Sequence, residues 1–294
     1  MYDIPVVEDE QIVKGGRRKG IMLCYPFEAK RLERWKSPYI IQPKLDGVRC
    51  RAIISNGYVQ LLSSEERVID LVPHINKALS EMIPSGVVEL DGELYCHGMS
   101  FEQIYSITSR SKNYHPNADK IQYHIFDIIC RDQQIYRTSE LNKQGFFKTD
   151  DTIHIVESSL VRDLDEIMLY FHRYIDKGYE GFVIRDKDGS YQRKRYTGIM
   201  KFKPHQTDLY LIIGTQEEIS ITGEPKGTLG AFICTSTEGT VFNVGTGLTY
   251  DQRVLYWKER ESLTGLYLKV KYQSLTQSNR VPRFPVALEV VGRD

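Results

Sequence analysis

The chain has 294 residues, room for one large or two ordinary domains, and its 41% hydrophobic and 27% charged content is that of a soluble globular protein. No run approaches the roughly 20 apolar residues of a membrane helix, and the acidic start around Met1-Tyr2-Asp3 is no signal peptide, so the expectation is a cytoplasmic protein without a membrane partner. The 39 basic and 39 acidic residues cancel, so any nucleic acid must be held by segregated patches, and five scattered cysteines argue against a disulfide framework or a cysteine zinc site.

The first feature along the chain is a basic run, Lys14-Gly-Gly-Arg-Arg-Lys19, readable as a solvated tail or as an arm that grips phosphate. Ala29 to Trp35 predicts a short helix. A short apolar run, Tyr39 to Gln42, then passes through Pro43 into Lys44-Leu45-Asp46-Gly47-Val48-Arg49, and a strand continues to Ile54. Alternation puts Val48, Cys50, Ala52 and Ile54 on one face, and Arg49 and Arg51 on the face that Lys44 can share. A lysine and arginines facing one cleft suggest a polyphosphate ligand; a surface hairpin is the plain alternative. Asn56-Gly57 marks a hairpin, and Ile69 to Met82 has helical spacing. Val87 to Tyr95 reads as a strand with Glu89, Asp91 and Glu93 pointing the same way. Such like charges need cations or donors unless the strand is a solvated edge. Gly92 among them favours close approach of a backbone or ligand. Ser100 and Gln103 occupy capping-box positions of a helix running to Thr108, and a polar loop spans 109–120.

Ile121 to Ile129 is the next strand, with His124, Phe126 and Ile128 expected opposite Tyr123, Ile125 and Asp127; Phe126 is either core or a stacking platform. Asp163 to Lys177 predicts an amphipathic helix with Asp163 and Glu166 as a capping box. Its apolar face carries Leu164, Ile167, Met168, Phe171 and Ile175, and Gly178 closes it. Tyr179-Glu180-Gly181-Phe182-Val183-Ile184-Arg185 follows, a strand opened by an acid and ended by a base. A second basic cluster holds Arg193, Lys194 and Arg195, then Lys201 and Lys203 on one face, two ammonium groups that call for an anion. Beyond Pro204 the rhythm changes. Beta-forming runs at 209–215, 229–235, 240–244, 267–272 and 285–291, with one helix at 249–261 capped by Thr249 and Gln252, describe a small barrel of the OB type.

Taken in order, Lys44-x-Asp46-Gly47-x-Arg49, Leu90-Asp91-Gly92-Glu93-Leu94, Phe126-Asp127, Glu180-Gly181-Phe182-Val183-Ile184-Arg185 and Lys201-Phe202-Lys203 resemble the nucleotidyltransferase motifs of ATP-dependent DNA ligases. The barrel segments Val244-Gly-Thr-Gly-Leu-Thr249, Lys269-Val-Lys-Tyr-Gln273 and Arg283-Phe-Pro-Val286 are similar to the ligase barrel, which points away from RNA ligases and GTP-using capping enzymes. The resemblance implies an α+β nucleotidyltransferase (adenylation) domain with antiparallel sheets over residues 1–205 and a small all-β OB-fold domain over 206–294. It also implies a monomer that seals nicked duplex DNA by way of lysyl-AMP.

In that reading Lys44 attacks ATP, and Lys201 and Lys203 neutralise charge growing on the phosphates and, with a divalent metal, favour neutral Lys44. Arg49 and Glu93 hold the ribose side, Phe126 stacks on adenine, and Gln42, Glu180 and Arg185 complete the nucleotide contacts. Asp46 and Glu180 organise Mg²⁺ or Mn²⁺ through water. Arg283 and Arg293 face ATP when the barrel swings about Pro204 to Thr207. Two departures stand out. Where the family carries Ser-Arg after the first hairpin, this chain has Ser63-Ser64-Glu65-Glu66, with Arg67 as a shifted substitute. Only 43 residues precede Lys44, and no long latch insertion interrupts the barrel, so a minimal phage-like or accessory bacterial enzyme is expected. The alternatives are a related RNA ligase or GTP-using capping guanylyltransferase and, second, a non-catalytic OB-fold nucleic-acid binder.

Overall fold

Alternation along Val48–Ser55 is realised in the computed structural model, which describes residues 18–82, 87–143, 151–276 and 279–292: Cys50, Ala52 and Ile54 are fully buried. The opposite face meets the acids of Val87–Tyr95, the antiparallel neighbour whose Glu93, Asp91 and Glu89 lie across from Arg49, Arg51 and Ile53. The three carboxylates are therefore not a solvated edge. Arg49 pairs with Asp91, and Arg51 and Arg193 with Glu89, which supplies the countercharge that such a row demands.

The chain divides into two compact units, Met1–Lys203 and Pro204–Asp294. The first is built on two five-stranded sheets. One runs in the order Leu23–Pro26, Arg195–Phe202, Gly181–Arg185, Tyr39–Lys44, Ser159–Val161. The other runs Tyr58–Ser63, Val48–Ser55, Val87–Tyr95, Gln122–Ile128, Ile153–Ile155. Neighbours are antiparallel except for one outer pair in each sheet. The short link Leu45-Asp46-Gly47 carries the chain from one sheet to the other, with Leu45 buried in the core of the second. A Cβ on Gly47 would come within 2.8 Å of Glu93 Cγ, so only glycine lets the crossing lie this close to the acid strand.

Strict alternation fails at one informative place. Asp91 is paired with Asp127 and Gly92 with Ile125, so Phe126 is the extra residue of a β-bulge, and Ile125, Phe126, Asp127 and Ile128 are all buried. A bulge re-aims a side chain, and here it turns Phe126 toward the arginines of the neighbouring strands. The helix Leu164–Asp176 also departs from expectation. Asp163 caps it by accepting from the Glu166 amide at 2.9 Å, but the Glu166 carboxylate takes the amide of Arg162 instead of closing the box. Its buried positions are Ile167 and Tyr174, while Leu164 and Ile175 are exposed.

The second unit is one antiparallel sheet in the order Val241–Val244, Pro225–Thr235, Gln206–Ile219, Tyr267–Tyr272, Val286–Val291. Its longest strand, Gln206–Ile219, pairs on both sides, and alternate residues Tyr210 and Ile212 enter a core with Leu229, Phe232, Cys234, Val270 and Tyr272. The helix Tyr250–Lys258 lies between the third and fourth strands in sequence and carries the full Thr249/Gln252 capping box. Arg253 on that helix donates to the carbonyls of Leu229 and Gly230 and so ties it to the sheet.

Candidate active site

Lys44 is the last residue of its strand, placed opposite Gly181 of the adjacent strand, and its carbonyl accepts from the Glu180 amide at 3.0 Å. This register sets Glu180 beside the lysine. Lys44 Nζ donates to Glu180 Oε2, and Lys203 Nζ lies 3.2 Å from Glu180 Oε1, so one carboxylate, itself 8% exposed, holds two ammonium groups. Gly181 makes the arrangement possible. Its φ of +154° is tolerated by glycine alone, and a Cβ there would sit 3.0 Å from Lys203 Cα and closer still to the Phe202 carbonyl.

The charges in this corner oppose one another. Burial pushes the Lys44 amine down, but attraction to Glu180, Glu93 and Asp46 outweighs it and holds the ammonium above its ordinary value. In this arrangement the surrounding acids, and not Lys201 and Lys203, dominate the Lys44 charge. Lys201 and Lys203 behave the other way. Burial lowers both, and repulsion from Lys44 adds to the effect. Glu93 is pushed up to about 7, first by burial and against the pull of Lys44 and Arg49.

The arginine expected at the ribose is already engaged. Arg49 grips Asp91 in a bidentate fork, Nε to Oδ1 at 2.6 Å and Nη2 to Oδ2 at 2.5 Å, and donates to the Met22 carbonyl at 3.2 Å. Its guanidinium lies 4.6 Å from the Phe126 ring centroid, and that of Arg185 lies 5.5 Å away. Phe126 is 9% exposed and packs within the core, so it is a core ring faced by the guanidiniums of Arg49 and Arg185.

Two further residues implied as nucleotide contacts are committed elsewhere. Gln42 is buried, accepts from Arg185 Nε at 2.8 Å, and donates to the Phe126 carbonyl at 3.1 Å and to Ser158 Oγ at 2.9 Å, which uses both amide hydrogens. Arg185 also donates to Asp127 at 2.8 Å and to Gln134 at 3.1 Å. Both hold the wall on which Phe126 stands. Sequence reasoning missed the rest of this wall. Arg137 donates to Asp127 at 2.8 Å with neither side chain exposed, and Tyr191 donates to Asp91 at 2.5 Å while accepting from the Met22 amide at 2.9 Å.

Asp46 adds its charge to Lys44 and Lys203. No group of three or more His, Cys, Asp and Glu able to hold a metal occurs among the described residues. Arg67 is exposed and pairs with Glu65 at 3.2 Å. Arg283 belongs to the second unit, its guanidinium 5.7 Å from the Phe284 ring centroid, and Arg293 lies outside the described residues.

With this geometry in place, residues 21–203 match the family model of the ATP-dependent DNA ligase domain. The chain belongs to the ATP-dependent DNA ligase family. Residues 222–290 of the ligase match the DNA ligase OB-like domain, so the adenylation domain is followed by an OB-like one. Members of this family are enzymes that form phosphodiester bonds, using ATP to seal nicks through an adenylate intermediate. The ligase is 25% identical to a Haemophilus influenzae DNA ligase over 268 residues, covering 90% of this chain and 89% of that one. It is 25% identical to an African swine fever virus DNA ligase over 264 residues, 83% of this chain and 61% of the viral one. Among solved structures its fold is similar to that of a Lig E DNA ligase, with a TM-score of 0.73, 21% identity and coverage of 92% of this chain and 98% of that one. The ATP complex of the bacteriophage T7 ligase aligns with a TM-score of 0.54 at 17% identity, covering 92% and 98% of the two chains.

Proposed function

We propose that this ligase joins the 5′-phosphate and 3′-hydroxyl of a nick in duplex DNA, with Lys44 as the residue that carries AMP. The observation that carries the reading is the corner in which Lys44 and Lys203 share Glu180, with Lys201 near the end of the strand Arg195–Phe202 that leads into Lys203. The Lys44 ammonium first gives up a proton, and Glu180, in contact with Nζ, is placed to take it. The freed Nζ attacks the α-phosphorus of ATP, a nitrogen–phosphorus bond forms, the bridge to the β-phosphate breaks, and pyrophosphate leaves. Lys201 and Lys203 sit where negative charge builds on the phosphate oxygens, and a neutral Lys44 no longer repels their ammonium groups.

The 5′-phosphate of the nick then attacks the same phosphorus, releasing the lysine and taking AMP. In the last step the 3′-hydroxyl attacks the 5′-phosphorus, loses its proton, and expels AMP. For adenine to stack on Phe126, Arg49, which faces the ring while it grips Asp91, must leave the ring face. Gln42 and Arg185 act through Phe126, whose carbonyl and bulge they hold.

Asp46 and Glu180 are hard oxygen donors, too few for a direct protein cage but suited to an ion that keeps its waters and shares substrate phosphates, as Mg²⁺ or Mn²⁺ does. Bound there, the ion would shield phosphate charge and weaken the acid field that keeps Lys44 protonated. The direct test is gel electrophoresis of a labelled nicked duplex with ATP or GTP. Wild type is expected to seal with ATP alone and Lys44→Ala not at all; sealing by Lys44→Ala would refute the assignment.

A further inference from the structure

Three chain segments remote in sequence meet over Arg51 and Glu89 of the second sheet. The Lys19 amide donates to the Ser64 carbonyl at 3.0 Å, which fastens the incoming chain to the turn after the first hairpin. One residue on, the Gly20 carbonyl accepts from Arg193 Nη1 at 2.9 Å, and the Leu23 amide donates to the Lys194 carbonyl at 3.0 Å. Gly20 adopts a φ of +69°, and its α-carbon rests on the Arg51 guanidinium so tightly that a Cβ would lie 2.8 Å from Cζ.

Beneath this strap the charges are paired locally, although the buried Arg193 Nε has no hydrogen-bond partner among the described residues. Glu89 Oε2 receives Arg193 at 2.9 Å and Arg51 at 3.3 Å, and Glu66 receives Arg51 at 3.2 Å. Arg51 and Arg193 are thus anchors. The cations on the outside differ: Arg18 and Lys19 on the strap, Arg67 on the turn and Lys194 on the third segment are all exposed. Arg67 faces only a solvent-exposed partner at 3.2 Å, Glu65, a contact that a phosphate can replace at little cost.

Such an arrangement uses a left-handed glycine and three main-chain contacts to fix the backbone that carries these basic residues. A solvated tail has no need of that. The strap also continues directly into Met22, whose carbonyl receives Arg49, so it ends at the nucleotide site. We propose that Arg18, Lys19, Arg67 and Lys194 form a backbone-phosphate grip for duplex DNA, and that it replaces the arginine missing from Ser63-Ser64-Glu65-Glu66. This rests on the nick-sealing reading above.

Phosphate contacts release counterions, so each one lost flattens the dependence of log affinity on log salt by roughly 0.9 for B-form duplex. The adenylated full-length chain is titrated with a labelled nicked duplex at several salt concentrations, and self-adenylation, which needs no DNA, is followed in parallel. R18A/K19A is expected to bind the nick about ten-fold more weakly with a slope reduced by about 2, to keep self-adenylating, and to lose sealing at low DNA concentration. E65Q, which frees Arg67, is expected to bind about two-fold more tightly. Unchanged affinity and slope in R18A/K19A would overturn the proposal, as would loss of self-adenylation, which would place the strap in nucleotide binding. Failure of the nick-sealing reading looks different: wild type itself would acquire no AMP.

Discussion

Asp127→Asn removes the only carboxylate between two buried guanidiniums. Arg137 reaches it through Nε at 2.8 Å and Nη2 at 3.2 Å, Arg185 through Nη1 at 2.8 Å, and the exposures of Asp127, Arg137 and Arg185 are 0%, 0% and 4%. The amide keeps the shape and loses the charge. Breaking a buried pair on one side costs about 3–5 kcal/mol because the other charge stays behind unpaired. For a unit of this size each kcal/mol is worth roughly 2–4 °C, so the adenylation unit should melt about 6–20 °C lower. The exposed pair Arg162–Glu166, with exposures of 76% and 35%, is the control, and Glu166→Gln should shift melting by no more than about 2 °C. Trp35 and Trp257 are the two tryptophans of the chain, one in each unit, so Trp35 fluorescence in a Trp257→Phe background reports the first unit by itself. The sign of the pH dependence is a second check. Burial raises Asp127, but Arg137 and Arg185 outweigh it and hold the carboxyl below its usual range. Its contribution is therefore complete above the unfolded value of about 3.9 and is lost as pH falls below it, so the variant and wild type should converge in acid. A melting loss no larger than that of Glu166→Gln would show that the network carries no such energy.

Three further outcomes follow from the same corner. Glu180→Gln removes the main influence that keeps Lys44 charged against burial, so the alkaline rise of the self-adenylation rate should move to lower pH while the plateau drops; quenched-flow rates across pH measure both, and an unmoved rise would contradict the charge assignment. Gly181→Ala forces a side chain against the Phe202 carbonyl and Lys203, and should cost about 1–3 kcal/mol and most of the adenylation rate; urea denaturation and rate assays would expose a harmless substitution. Glu93, raised to about 7 by burial, binds its proton more tightly folded than unfolded, so wild-type stability should fall as pH rises from about 4.3 to about 7. Glu93→Gln should flatten that slope in denaturant titrations, and an unchanged slope would assign it to another group.

What the amino-acid order disclosed follows from what its patterns encode. Apolar alternation exposed Val48–Ser55 and the five strands of the second unit, and the Ser100/Gln103 and Thr249/Gln252 spacings marked helix starts that both form as full capping boxes. Spacing could not disclose the wall behind Phe126. Its partners lie 10 and 58 residues from Asp127, one on a helix and one at the end of the strand Gly181–Arg185, and the helix that supplies Arg137, Gln134–Asn142, buries Gln134, Arg137, Thr138 and Leu141, a stripe that is mostly polar and invisible to a search for apolar periodicity. The bulge at Phe126 was hidden for a similar reason. An extra residue shifts the alternation only relative to a partner strand, and the partner is set by the fold. Residue type likewise identified Arg49 as a cation of the site, but its fork on Asp91 depends on a strand pairing that the local sequence does not specify.

Every step of the proposed reaction depends on Lys44 Nζ carrying the nucleotide. Intact-mass spectrometry of the protein after incubation with ATP and magnesium, followed by peptide mapping, should find one adenylyl group on Lys44 that pyrophosphate removes. A protein whose mass does not change, or one whose adenylyl group maps to any other side chain, would contradict it.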